Sequence, residues 1–154
     1  MKILRVAHLR RGHLRIALGV LVGAYGLSNL LPIASNVAYK AGAMGQPTGE
    51  MARMVPLWEA TAWWQLGLWT AVAALLMLVA WRLVRGRPAL GLYVATLAAD
   101  AVLWWLMQSG AAYQQVFTPA DLQMDYDMLL AMAVVGVLIW WAERRHGGLG
   151  VTQR

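Results

Sequence analysis

Cysteine is absent from this 154-residue chain, so it forms no disulfide and holds no thiolate metal site, and redox compartment leaves no mark on it. Histidine is almost as scarce. His8, His13 and His146 all flank the apolar stretches, and a b-type haem or a chlorophyll-type pigment needs an axial ligand inside the bundle that holds it. Arg15 and Arg82 fall at the very ends of two apolar stretches, and no lysine or arginine lies deeper in any of them. No HExxH motif, Ser–His pair at membrane depth or glycine-rich phosphate loop occurs, and no His/Asp/Glu cluster has metal-ligand spacing. Catalytic residues and metal ligands are therefore not expected, nor is a cofactor held by the chain's own side chains.

Charge is the other shortage. Charged residues make up 13% of the chain and apolar residues 60%, against about 25% and about 45–50% in soluble domains. Mean hydropathy is +0.54. One phenylalanine stands beside nine tryptophans, and tryptophan favours membrane interfaces.

What is present is four apolar stretches, at about residues 14–37, 60–84, 89–110 and 126–142. A hydrocarbon core needs about 20 mostly apolar residues per helix. None alternates as a barrel strand would, and backbone groups in lipid must be satisfied internally, so all four read as helices. The expected fold is all-α: a single domain over residues 1–154, built as a four-helix membrane bundle. The last stretch is the shortest, and Tyr126 and Asp127 at its mouth bring it near the lower limit.

The basic residues set a direction. Lys2, Arg5, Arg10, Arg11 and Arg15 precede the first span. Arg82, Arg85 and Arg87 lie between the second and third, and Arg144, Arg145 and Arg154 follow the fourth. Only Lys40 and Arg53 fall in the other two loops. The positive-inside rule then predicts a multi-pass protein of a bacterial-type inner membrane with both termini cytoplasmic. The net charge of +6 reads as a topology signal, with phospholipid headgroups as its electrostatic partners, rather than as a nucleic-acid surface. The first apolar run is too long for a typical signal-peptide core. The residues before it fit either an interfacial helix, with Ile3, Leu4 and Leu9 dipping into lipid, or a basic orienting tail.

Gly19, Gly23 and Gly26 line the first span at a spacing that lets another helix backbone approach. Gly91, Ala95 and Ala99 repeat it on the third, so a crossing of the first and third spans is expected. Pro32 is expected to kink or end the first helix. Trp58, Trp63 and Trp64 at one membrane face, with Trp81, Trp140 and Trp141 at the other, fit interfacial aromatic belts. Trp69, Trp104 and Trp105 lie deeper and need a surface to pack on: a helix, a partner subunit or a flat group such as a quinone.

The interior polar residues are few. At about 1.5 Å of rise per residue, Asp100 lies roughly 18 Å from the cytoplasmic end of its span, and Asn29 and Gln65 roughly 10 Å below the opposite surface. Ser28 accompanies Asn29, and Tyr25 lies one turn deeper. The fourth span offers no polar group at that level. An ionised carboxylate in a membrane helix costs about 2.5–3.5 kcal/mol on insertion scales, so Asp100 is expected to face inward and to be either protonated or hydrogen-bonded to a donor, with Tyr25, Asn29, Gln65 and the Trp indoles as candidates. Three roles stay open: a proton relay or ligand for a bound headgroup, an interhelical hydrogen bond of roughly 1 kcal/mol, or a contact with a partner subunit's base. Asp121, Asp125 and Asp127 read as a solvated loop that opens the fourth helix. In the first loop, about 38–59, "MARMVPLWEA" is amphipathic, and Met44, Met51 and Met54 read as adaptable packing contacts rather than a copper site.

The stretches "LRIALGVLVGAYGLSNL" and "LWEATAWWQLGLWTAVAALLMLVAWRLVRGRPALGL" resemble the first and second helices of DoxX-like small four-helix membrane proteins. The resemblance covers roughly the first 90 residues. It implies a small inner-membrane protein tied to redox or quinone physiology. Two functions follow. One is a non-catalytic accessory subunit of a larger inner-membrane assembly, such as an electron-transfer complex, with other membrane subunits as partners. The other is a small carrier that binds a quinone or lipid, or relays protons, through Asn29, Gln65 and Asp100. A Trp-lined cavity reaching Asp100 favours the carrier, and a dry contact at Asp100 favours the subunit.

Overall fold

The computed structural model describes residues 2–144, with side chains from Gly12 onward. The side chains of Lys2, Ile3, Leu4, Arg5, His8, Leu9, Arg10 and Arg11 lie outside the described residues, as do Arg145, His146 and Arg154, so neither reading of the N-terminal segment is addressed there.

Six helices follow in chain order: α1 (Lys2–Lys40), α2 (Glu50–Ala60), α3 (Trp63–Val84), α4 (Leu90–Gln108), α5 (Ala111–Val116) and α6 (Pro119–Arg144). No strand occurs among the described residues. Four helices are long and apolar enough to cross a membrane: Gly12–Lys40 within α1, and all of α3, α4 and α6. The chain is an all-α, multi-pass membrane protein.

Three boundaries differ from expectation. The first helix runs to Lys40 rather than to about residue 37, and Pro32 lies inside it without ending it. Proline is tolerated in membrane helices where neighbouring groups take up the freed carbonyl, and beyond it Ile33 and Asn36 are buried. The fourth spanning helix begins at Pro119 rather than near residue 126. Its start is a capping box: the Thr118 backbone N–H and hydroxyl both donate to Asp121 Oδ2 at 2.8 Å, and Asp121 N–H donates back to Thr118 Oγ1 at 3.3 Å. Pro119 occupies the first helical position, where its missing N–H costs nothing. Asp121, Asp125 and Asp127 are therefore helical, not a loop. Finally, both long connections hold short helices. The amphipathic stretch of the first is α2, closed by a Thr61 hydroxyl bond to the Leu57 carbonyl at 2.7 Å.

The spanning helices form a closed ring: α1 packs on α3, α3 on α4, α4 on α6 and α6 on α1. The up-down order is that of a simple four-helix bundle. Leu18 and Val22 of α1, Leu76 and Val79 of α3, Tyr93 of α4 and Ile139 of α6 fill its core. The α1 glycines face α3. A β-carbon built on Gly19 would lie 2.8 Å from Val84 Cγ2 and 3.0 Å from the Ala80 carbonyl oxygen, and one on Gly26 would lie 3.1 Å from Leu76 Cβ. Gly23 would meet Ala80 Cβ at 3.4 Å. The expected crossing of the first and third spans is thus overturned. The small residues Ala73 and Ala80 of α3 complement the glycines, α4 lies diagonally across the ring, and Gly91 faces open space.

At the end carrying the α3–α4 turn, Arg15 donates to the Gly86 carbonyl at 2.6 Å, across a turn in which Gly86 adopts φ +68°. Glu143 at the end of α6 accepts from the Ala89 and Leu90 N–H groups at 2.6 and 3.3 Å, a carboxylate placed where the helix dipole favours it. Arg87 lies over Trp81 and Arg144 over Trp140, at 5.0 and 4.6 Å. Trp81, Trp140 and Trp141 are exposed at this end. At the other end α2 and α5 pack on each other, through Leu57, Tyr113 and Val116, and form a cap over the ring.

Candidate functional site

Between the bundle core and that cap lies a cavity of about 310 Å³. All six helices contribute to its wall. Its floor is polar: the Tyr25 hydroxyl of α1 donates to Asp100 Oδ2 of α4 at 2.6 Å. This bond joins two helices that face each other diagonally and do not pack directly. Asp100 is 8% exposed, and its second oxygen accepts no hydrogen bond. Asn29 and Asn36 stand one and three turns along α1 from Tyr25, on the same wall. Asn29 Nδ2 and Asn36 Oδ1 are buried without a hydrogen-bond partner, and Asn36 is only 3% exposed. Buried orphan polar atoms are rare enough to require an explanation, and two of them share this cavity.

A second phenol–carboxylate pair closes the cap side. The Tyr113 hydroxyl of α5 donates to Asp125 Oδ2 of α6 at 2.5 Å. Burial first, and then the bond to Asp125, push the Tyr113 phenol above its ordinary range, so it stays a proton donor. Tyr113 stacks on Phe117 at 4.3 Å between ring centres. Both carboxylates line the cavity, which no lysine, arginine or histidine lines. Among the described residues no three histidines or carboxylates gather as a metal site.

Of the sequence candidates, Tyr25, Asn29 and Asp100 come together here. Gln65 does not. Its Oε1 accepts the Ala62 N–H at 2.6 Å, capping α3 locally, because the start of the helix offers an unpaired N–H nearer than any interior partner. Asp125 and Asn36 were missed. The fourth span does bring a polar group to this level, because α6 starts seven residues early. Asp125 then shares a helical stripe with Leu129 and Met132, at spacings of four and three, a signal available once Thr118–Asp121 is read as a cap. Asn36 lies at the very end of the first apolar stretch as read from the sequence, where a polar residue is ordinary; α1 runs on past it to Lys40.

The tryptophans divide differently from expectation as well. Trp58 is 4% exposed; it packs on Tyr39 with ring centres 5.3 Å apart and lines the cavity, so it is not an outward belt residue. Folding of the first loop into α2 turns it inward. Trp63 and Trp64 are exposed. Trp69 and Trp104 also line the cavity, with Trp104 edge-on to Tyr126 at 5.2 Å. Trp105 faces outward.

The cavity is open on one side. Its exposed wall residues are Ser28 and Pro32 of α1 and Met124 and Met128 of α6. Both pairs belong to adjacent spanning helices, so the opening lies between α1 and α6 and faces sideways, toward the bilayer. Compared with protein-family models, curated proteins and solved structures, the chain matches none.

Proposed function

We propose that this chain is a small membrane carrier or binding protein that takes an apolar molecule with a polar head, of the quinone or lipid kind, from the bilayer. The observation that carries the reading is the Trp-lined cavity reaching Asp100. Its volume of about 310 Å³ falls at the lower end of small-molecule sites, about 300–1,000 Å³. The sideways opening gives an apolar tail a route in without crossing water, and Asp100, Asn29 and Asn36 supply the polar head contacts. The DoxX-like resemblance of the first 90 residues accords with such a role.

The accessory-subunit reading draws on a different surface. On the outer side of α4, Gly91, Ala95, Ala99 and Trp105 are exposed, a small-residue face with a large anchor that suits another helix. Native mass spectrometry of the chain released from nanodiscs separates the two. A monomer carrying a small apolar molecule is the expected result. A stoichiometric protein partner, with the cavity empty, would favour the subunit.

The charge distribution supports a bacterial-type inner membrane with both termini in the cytoplasm; with that topology the cavity and its cap would lie on the outer side. The absence of native cysteine makes this simple to check. In intact cells, a membrane-impermeant maleimide is expected to label Gln46→Cys, in the α1–α2 loop, but to reach Arg87→Cys only after permeabilisation. The reverse pattern inverts the protein.

A further inference from the structure

We infer that the ligand of this cavity is a hydrophobic ammonium compound, its cationic N–H group seated between Asp100 and Asp125 and its apolar body among the tryptophans. This rests on the binding reading above and names the ligand class. The unmet acceptors of the cavity wall come first. The hydroxyl protons of Tyr25 and Tyr113 are already given to the carboxylates. That leaves the second oxygens of Asp100 and Asp125 and the orphan Asn36 Oδ1 as acceptors in the wall. These are satisfied by a ligand that brings donors. An oxidised quinone brings only acceptors and leaves all three unmet.

Charge points to the same ligand class. Two carboxylates face the cavity, and no base lines it. Arg53, the basic residue of α2, is exposed, 3.7 Å from Glu50 and donating to the Val116 carbonyl. Ion pairing inside a low-dielectric cavity is strong and charge-assisted hydrogen bonds are the strongest of their kind, so a cation completes the site where a neutral molecule does not. Trp58, Trp69, Trp104 and Phe117 line the same cavity; aromatic rings attract cations through the ring quadrupole, and Met54 and Met107 supply adaptable surface.

The test uses the full chain in phosphatidylcholine nanodiscs, titrated calorimetrically with 4-phenylbutylammonium, its neutral analogue 4-phenylbutanol, and decylubiquinone in oxidised and reduced forms. Empty nanodiscs supply the partition background. The ammonium is expected to saturate at one per chain and to bind at least about tenfold tighter than the alcohol. Asp100→Asn keeps an acceptor for Tyr25, so it should retain the parent's thermal midpoint while losing about tenfold or more in ammonium affinity. Equal binding of ammonium and alcohol, or unchanged affinity in Asp100→Asn at an unchanged midpoint, overturns the ammonium assignment. Should a quinone or the alcohol saturate while the ammonium does not, the ligand class is wrong and the cavity reading survives. Saturation by no probe overturns both.

Discussion

A Gly19→Leu chain is expected to melt roughly 5–10 °C below the parent in detergent, whereas Gly91→Leu stays within about 2 °C of it. Both glycines lie in apolar spanning helices and both belong to four-residue small-residue patterns, so sequence alone treats them alike. The structure separates them. At Gly19 even a β-carbon would stand 2.8 Å from Val84 Cγ2 and 3.0 Å from the Ala80 carbonyl oxygen. The valine can rotate away, but the carbonyl belongs to the α3 backbone and cannot. A leucine there must push α1 off α3, which opens the seam that runs through Gly23 and Gly26. Overpacking of this kind costs about 1–3 kcal/mol. In lipid, helix association depends on close packing because the acyl chains give no hydrophobic drive. At Gly91, in the first turn of α4, nothing lies within 4 Å, so a leucine there meets no neighbour and displaces no helix. Size-exclusion profiles after stepwise heating measure both. Equal midpoints for the two variants would mean that α1 and α3 do not meet at these residues.

That contrast shows where the sequence was sufficient. Spanning helices were legible because hydropathy is a property of one segment and needs no knowledge of its neighbours. Which helix the glycines face is a property of a pair, and the small residues Ala73 and Ala80 that settle it are unremarkable within an alanine-rich helix. The start of α6 was misplaced for a related reason. Asp121, Asp125 and Asp127 lower local hydropathy, whereas helix initiation is decided by the reciprocal bonds of Thr118 and Asp121. Treating the acids as a loop removed Asp125 from the candidate site altogether.

Within the site, depth was legible and direction was not. Tyr25, Asn29 and Asp100 share a level because rise along a helix is constant, and their polarity in apolar surroundings singled them out. Gln65 sits at a suitable depth too, but the unpaired Ala62 N–H of its own helix claims it. Tyr113 and Trp58 enter the cavity wall only because two connecting segments fold into α2 and α5, and short helices in connections carry a weak periodic signal. The cavity itself is walled by all six helices together, an arrangement that no residue pattern encodes directly.

Whether Asp100 is a binding group or only an interhelical tie is decided by a pair of substitutions read in two ways. Tyr25→Phe removes the one hydrogen bond that Asp100 receives and leaves a buried carboxylate unpaired, at an expected cost of about 1–3 kcal/mol. Asp100→Leu, of similar shape, deprives the Tyr25 hydroxyl of its acceptor and costs less, since a neutral hydroxyl is cheaper to leave unpaired than a carboxylate. The double variant replaces both polar partners by apolar groups, an exchange that is nearly neutral in well-packed sites. Its stability should therefore recover toward the parent, with a coupling of about 1 kcal/mol between the two positions. Mixed-micelle unfolding measures that coupling, and additive effects would mean the bond contributes nothing. Ammonium binding should move the other way: the double variant keeps a stable bundle around a cavity that has lost its floor carboxylate, and affinity stays low. A structural tie predicts recovery in both measurements, whereas a ligand site predicts recovery in stability alone. The separation of the two readouts in one protein is what assigns Asp100 its role.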